Sequence, residues 1–473
     1  MRRAGGKAMR ITIIGYGMAG ARLATLLARE HDVTVYGAEP HAAYNRILLS
    51  GLLAGAYQET DLALPASNVD LRLGVTAIDV DRVARTVDGE PYDALVLATG
   101  SRAIIPPIKG LTCDDGDLHP NVAAFRTLED CRRILSATGS HPVVLGGGLL
   151  GVEAARGLAG RGPVTLVHGA PHLLERQLDP AGGAVLADTL AAMGITVRVD
   201  AQAVAYADGV LRLADGTELP ADPLVVSCGV RAETTLAESI GLAVGRGVLV
   251  DDELRASDPD IYAIGDCAEH RNTVYGLVAP AWEQAAVLAG VLGEVAAARS
   301  SGARPGDGSS VRYTGSRLVT RLKAAGIDLA AMGHLDGEEN LSFTDPSRGT
   351  YARLAITDGR LRGAILIGDN PTVGTITQLF DRRTPVPADR RSLLLGRISA
   401  AAAPAETPAL MPDAAVVCRC NTVTKGDIVR CGGRTVPQIA ERTNATTGCG
   451  GCTDAVRGIA DWLSTVDPVM EEV

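Results

Sequence analysis

Two short-spaced pairs of cysteine stand near the end of the chain: Cys418-x-Cys420 and, after 28 further residues, Cys449-x-x-Cys452. Each pair is already local, so folding back one loop brings four thiolates around one centre. The second pair lies in TTGCGGC (446–452), whose glycines leave room and free N–H groups for sulfur. Four thiolates suit either tetrahedral zinc or an iron–sulfur cluster. Zinc ribbons usually use CxxC twice, and the CxC opening here departs from that habit. Cys431 is extra to the set and is expected to be a spare buried thiol.

The other chemistry is carried by glycine. Gly15-Tyr16-Gly17-Met18-Ala19-Gly20 and Gly146-Gly147-Gly148-Leu149-Leu150-Gly151 are two GxGxxG runs, each between an apolar strand and a helical stretch. Glycines there let backbone approach a pyrophosphate, which then rests on a helix N-terminus where N–H groups and the dipole favour anions. One such run alone is weak evidence, because a tight turn has the same sequence. Two copies, each in a βαβ setting, predict two dinucleotide sites. Glu39 lies 19 residues beyond Gly20, at the end of the next strand, a spacing that suits a ribose hydroxyl.

These sites need strands ending at the loops. ITIIG (11–15), VTVYG (33–37), ALVLATG (94–100), PVVLGGG (142–148), VTLVHG (164–169) and DIYAIGD (260–266) are apolar runs closed by glycine or a polar turn. That pattern predicts buried parallel strands of an α/β fold. A Gly/Ser/Pro stretch at 300–310 marks a boundary, after which Val311 to about Ser399 is expected to alternate helix and strand, with a hairpin turning at Asp358-Gly359. An Ala/Pro-rich linker (399–413) leads to the cysteine module.

The bulk composition excludes several roles. The net charge is −10 and aromatic residues are 3% of 473, which leaves neither a basic stripe nor a stacking platform for nucleic acid. No apolar run is long enough to cross a bilayer, and the start leads directly into a βα unit, so we expect no signal peptide, a cytoplasmic protein and no membrane partner. Met9 is an alternative start. Nine cysteines, five of them in the last 56 residues, argue for a metal rather than disulfides. Cys113, Cys131, Cys228 and Cys267 are scattered and are expected to be small buried hydrophobes.

DALVLATGS (93–101) and DPDIYAIGDCAE (258–269) resemble the two accessory motifs of glutathione-reductase-like flavoproteins. The resemblance implies that Thr99, Gly100 and Asp266 bind FAD together with Gly15, Gly17, Ala19, Gly20 and Glu39, and that Gly146, Gly148 and Gly151 hold NAD(P)H. Asp266 as a mere helix N-cap is the alternative. No CxxxxC or CxxC pair precedes Cys418, and Ser50 stands where peroxidase relatives carry a cysteine, so the flavin is expected to give its electrons elsewhere. The CxC and GCGGC pairs resemble the bacterioferritin-associated-ferredoxin-like module. That likeness implies a [2Fe-2S] cluster on Cys418, Cys420, Cys449 and Cys452. Arg419, Lys425, Arg430, Arg434 and Arg442 would stabilise such an anionic cluster, or form a solvated face.

EPHAAYNRILLS (39–50), GGGLLGVEAARGL (146–158), ERQLDP (175–180), APAWEQ (279–284) and VCRCNTVTKGDI (417–428) are similar to two families. These are the large subunit of NAD(P)H-dependent nitrite reductases and the electron-transfer subunit of assimilatory nitrate reductases. The resemblance implies that Arg46 contacts FAD, that Trp282 lies in a helix opening beneath the flavin, and that Glu153 lies near the nicotinamide as the catalytic-site carboxylate. It implies two Rossmann-like domains, with FAD at 9–120 plus 240–300 and NAD(P)H at 121–239. An α+β interface domain (311–399), a linker (400–413) and a small helical iron–sulfur module (414–473) follow. No cysteines remain for a siroheme centre, so nitrite reduction is expected to need a catalytic partner, a molybdenum nitrate reductase or siroheme nitrite reductase; a homodimer is a further expectation. A ferredoxin- or rubredoxin-reductase-like component of an oxygenase system and a non-catalytic redox sensor are the competing readings. His168 stands where an acid would select NADH, so both nucleotides are expected to be used within roughly a tenfold range of kcat/KM.

Overall fold

The computed structural model describes residues 8–76, 79–137, 139, 141–301, 310–322, 324–395, 408, 411–418, 421, 423–446 and 452–466. All six apolar runs form strands. One five-stranded parallel sheet runs Ile261–Ala263, Ala94–Leu97, Arg10–Ile14, Asp32–Gly37, Asp70–Leu73 in spatial order. Its central strands are buried on both faces, which is why they read as continuous apolar runs rather than alternating ones. The helices Met18–Leu27 and Val278–Ser301 cover one face, and their Leu23, Ala24, Leu288 and Val291 are fully buried there.

A second parallel sheet runs Ile195–Arg198, Val164–Val167, Val143–Leu145, Leu224–Val226, Val122–Ala124. All its strands lie between the Ala94–Leu97 and Ile261–Ala263 strands of the first sheet in sequence, so the first sheet is discontinuous along the chain.

The third layer differs from expectation. Residues 319–367 form five antiparallel strands, and the helices Val373–Arg382 and Arg391–Leu395 follow them rather than alternating with them. The Glu339–Asp345 strand alternates exposed and half-buried positions, the mark of an edge strand with one wet face, and that period was lost among short apolar runs. The hairpin turns where expected: Asp358 and Gly359 both take positive φ, 50° and 64°, as a two-residue primed turn demands. Most of the linkers at 300–310 and 399–413 lies outside the described residues.

This third sheet packs on the second through Asp179. Its carboxylate caps the Pro180–Ala192 helix by accepting the Gly182 N–H (2.9 Å), and also accepts from Tyr351 Oη and Arg353 Nη1, each at 2.7 Å. Burial pushes this carboxyl up, but the guanidinium and the two other donors outweigh it and hold it below its ordinary value. Asp179→Ala is expected to lower stability by about 2 kcal/mol, from a lost cap and a lost charged hydrogen bond. Because the folded value is depressed, Asp179's contribution is complete above about pH 4 and fades as pH falls through the folded value. Thermal melts of both proteins at pH 7 and pH 3 check the deficit and its narrowing in acid.

Candidate functional site

The two glycine loops repeat one geometry. Gly15 and Gly146 have φ of +112° and +114°, and a Cβ on either would strike a backbone carbonyl, that of Ala98 at 2.1 Å or Ser227 at 2.2 Å. Gly20 and Gly151 sit under their own loops, where a Cβ would lie 2.0 and 1.7 Å from the carbonyls of Gly15 and Gly146. Gly17 and Gly148 are the opposite case: nothing lies within 4 Å of a Cβ built on them. Each is the N-cap of its helix (Met18–Leu27, Leu149–Leu158) and supplies no side-chain cap. The helices starting after Thr127, Asp179, Thr424 and Thr435 are all capped by those side chains. The two glycine-loop helices thus offer bare N–H groups to open space, which fits a pyrophosphate at each.

Both loops face one cavity of about 1930 Å³. It is also lined by Ala19, Glu39, Arg46, Thr99, Gly100, Asp266 and Trp282, and by Glu153 and His168 on the second loop's side. Cys418 and Cys452 reach the same wall. Gly20 and Gly151 stand behind it as packing residues.

Around the first loop the polar groups are already organised. Glu39 accepts from Tyr44 Oη (2.7 Å) and pairs with Arg46, whose guanidinium lies over the Tyr44 ring. Thr99 Oγ1 donates to the carbonyl of Glu233 (2.7 Å) and fixes the turn before Gly100. Asp266 accepts from Ser101 Oγ (3.0 Å) and from Arg126 Nη2 (2.6 Å).

Arg126 escaped the sequence reading. It follows the Val122–Ala124 strand and immediately precedes the capping box of Thr127 and Asp130. Its Nε is buried and makes no hydrogen bond among the described residues. An orphaned guanidinium donor beside Asp266 fits a ligand rich in hydroxyl and phosphate oxygens. The available signal was its place at the carboxyl end of a strand, where ligands of open α/β sheets bind.

On the second loop, Glu153 is buried on the cavity wall at 7% exposure, not on a wet helix surface. His168 Nδ1 accepts the Gly147 N–H (3.0 Å), so the imidazole proton sits on Nε2, 3.0 Å from Glu175 Oε2. The strand-end histidine is thus one half of a His–Glu pair. Cys228 lines the wall nearby, and burial pushes its thiol up to about 11, which keeps it protonated at neutral pH. Cys131 and Cys267 are buried as expected, but Cys113 is exposed: it lies in a turn, Cys113 N–H to Asp117 O, rather than in a core.

In the last module Cys418 ends a short strand, and Cys452 precedes the Thr453–Val466 helix, its carbonyl accepting from Val456 N–H. They are 2% and 8% exposed and share one apolar core with Met18 and Trp282 of the first unit. Trp282 Nε1 donates to the Met18 carbonyl (2.9 Å), fixing the indole between the two parts. A strand-end thiol and a helix-start thiol converging on one wall fit an anionic cluster, which a helix N-terminus favours. Cys420, Cys449 and Arg419 lie outside the described residues. Cys431 is half-buried, its S–H donating to the Ile428 carbonyl. Lys425 is buried, donating to the Met411 carbonyl (2.8 Å) over the Trp462 ring, while Arg430 pairs with Asp427 and Arg442 donates to the Cys431 carbonyl.

Residues 9–285 match the pyridine nucleotide-disulphide oxidoreductase model, 319–384 the rubredoxin NAD+ reductase C-terminal domain, and 416–462 the BFD-like [2Fe-2S] binding domain. The chain is 35% identical over 478 residues to the nitrite reductase [NAD(P)H] of Bacillus subtilis (strain 168), covering 95% of this chain and 57% of that protein. It is 32% identical over 487 residues to the assimilatory nitrate reductase electron transfer subunit of the same organism, covering 97% and 60%. The chain therefore spans little more than half the length of these relatives. The covalent putidaredoxin reductase–putidaredoxin complex matches in structure with a TM-score of 0.68 at 25% identity, over 80% of this chain and 94% of that one. Two dinucleotide cradles on one cavity, with a family model matched over more than half the chain, make this protein a member of the pyridine nucleotide-disulphide oxidoreductase family, an FAD- and NAD(P)H-dependent oxidoreductase with a BFD-like [2Fe-2S] domain.

Proposed function

We propose that this chain is an electron-transfer flavoprotein that takes electrons from NAD(P)H and delivers them, through its own [2Fe-2S] module, to a partner reductase. The observation that carries the reading is that both glycine loops, Cys418 and Cys452 line one cavity. Bound FAD would supply the conversion of a two-electron hydride into single electrons.

The chain's own residues do the positioning. Gly15 and Gly17 hold the FAD pyrophosphate, with Gly20 packing the helix under their loop and Glu39, Arg46, Thr99, Gly100, Arg126 and Asp266 fixing the rest of that cofactor. Gly146 and Gly148 hold the nicotinamide nucleotide, with Gly151 packing the helix under their loop, and Glu153 orients its reacting end. Trp282 closes the floor and keeps water from the path to the cysteines. Cys418, Cys420, Cys449 and Cys452 ligate the cluster. On this reading the chain divides into an FAD part (9–120, 240–300), a nucleotide part (121–239), an interface part (311–399) and a cluster part (414–473).

The named relatives favour a catalytic subunit of assimilatory nitrate or nitrite reductase as the partner. A ferredoxin- or rubredoxin-reductase role is the second reading, favoured by the match at 319–384. No helix among the described residues is long and apolar enough to cross a membrane, in keeping with a cytoplasmic place for either reading. The purified chain is expected to hold one FAD, two irons and two acid-labile sulfides. Zinc without iron or sulfide would overturn the cluster assignment. Affinity capture should recover a nitrate or nitrite reductase subunit, whereas an oxygenase ferredoxin in its place would support the second reading.

A further inference from the structure

The strand-end position that commonly carries the acid selecting NADH is occupied here by His168, directly after the Val164–Val167 strand. An acid in that place binds the two hydroxyls of the adenine ribose and repels a 2′-phosphate. The imidazole does not take over this task, since it is turned under the glycine loop. Its Nδ1 receives the Gly147 N–H at 3.0 Å, and the ring packs so closely that a Cβ on Gly147 would lie 2.7 Å from His168 Cγ. Its remaining nitrogen points to Glu175 at 3.0 Å.

We propose that Glu175, seven residues beyond His168, is the specificity residue of this nucleotide site, held there by His168, and that the protein selects NADH over NADPH. This rests on the reading of the second glycine loop as the nicotinamide-nucleotide site. Glu175 lines the same cavity as Gly147 and Gly148, and its carboxylate is 39% exposed, open to a ligand. One carboxylate oxygen takes the contact with Nε2; Oε1 makes no hydrogen bond among the described residues and is left for a ribose hydroxyl. His168 thus works as a positioning residue: its two ring nitrogens tie the acid to the loop that holds the pyrophosphate.

The opposing charge is Arg176, next in sequence, exposed and also on the cavity wall. No hydrogen bond or ion pair holds its guanidinium among the described residues, whereas Glu175 is anchored by one. A fixed carboxylate acts at short range on a phosphate, while a free surface guanidinium acts through water and salt. On this proposal the preference for NADH replaces the near-equal use of both nucleotides that His168 at the strand end implies.

The test is calorimetric titration of the FAD-loaded full chain with ADP-ribose and with 2′-phospho-ADP-ribose, which needs no turnover. The native protein is expected to bind ADP-ribose at least about tenfold more tightly, because a fixed negative charge meets the extra phosphate. Glu175→Gln should bring the two affinities within about threefold, mainly by strengthening the phosphorylated ligand, and the native preference should shrink as salt is raised. Arg176→Ala should keep the preference. Equal binding by the native protein, or a ratio untouched in Glu175→Gln, would overturn the proposal while leaving the nucleotide site standing. Binding of neither ligand would overturn the nucleotide site itself, and the proposal with it.

Discussion

Gly17→Val is expected to yield a folded chain without flavin. Gly17 has φ −78°, a value any residue adopts, and no atom lies within 4 Å of the added Cβ. The substitution therefore does not disturb the protein's own packing. What it fills is the open space at the start of the Met18–Leu27 helix, where the bare N–H groups face the cavity and a pyrophosphate must approach the backbone closely. Flavin occupancy should fall by at least about tenfold, since a branched side chain there excludes the diphosphate outright. The contrast is Gly20→Val, whose Cβ would lie 2.0 Å from the Gly15 carbonyl. That variant should lose the strand–helix packing itself and accumulate as insoluble protein. The ratio of flavin to protein absorbance, with a thermal melt, separates the two, and a Gly17→Val protein with stoichiometric FAD would refute the site.

Cys452→Ser should remove the cluster and spare the flavin. A serine hydroxyl cannot replace the thiolate, so iron and sulfide are expected to fall by at least about tenfold. FAD should remain, because none of the residues around Glu39, Arg126 and Asp266 belongs to the cysteine module. NAD(P)H-driven reduction of an artificial dye should persist, while reduction of a one-electron protein acceptor should fail. The structure adds a condition that a linker alone did not suggest. Cys418 and Cys452 share a core with Met18 and Trp282, so the module is docked on the flavin unit and not a free appendage. If FAD were lost along with iron, the two parts would prove to be one cooperative unit.

The parts of this protein legible in sequence were the local ones. Gly20 and Gly151 answer to the carbonyls of Gly15 and Gly146, five residues back, so the spacing of each GxGxxG carries its own helix start, and Asp358-Gly359 fixes its own turn. The buried parallel strands were equally plain as apolar runs. What escaped was set by distant partners. Arg126 gains its meaning from Asp266, 140 positions on, and the His168 ring from the amide of Gly147, 21 positions back. The antiparallel sheet at 319–367 is least legible at its edge, where the Glu339–Asp345 strand is half wet, and a short half-wet strand resembles a helix turn in composition.

The core joining the module to the flavin unit has an optical consequence. The chain has only two tryptophans, Trp282 and Trp462, and both lie in that one core. Indole emission from this protein is therefore not an average over 473 residues but a gauge of a single junction. Any treatment that lifts the module away exposes the Trp282 ring to water and shifts that emission, even if the three large sheets, which hold no tryptophan, keep their circular dichroism. An unfolding curve followed by emission thus reports the seam between module and flavin unit, and one followed by ellipticity reports the scaffold. The gap between the two midpoints measures how firmly the seam is held.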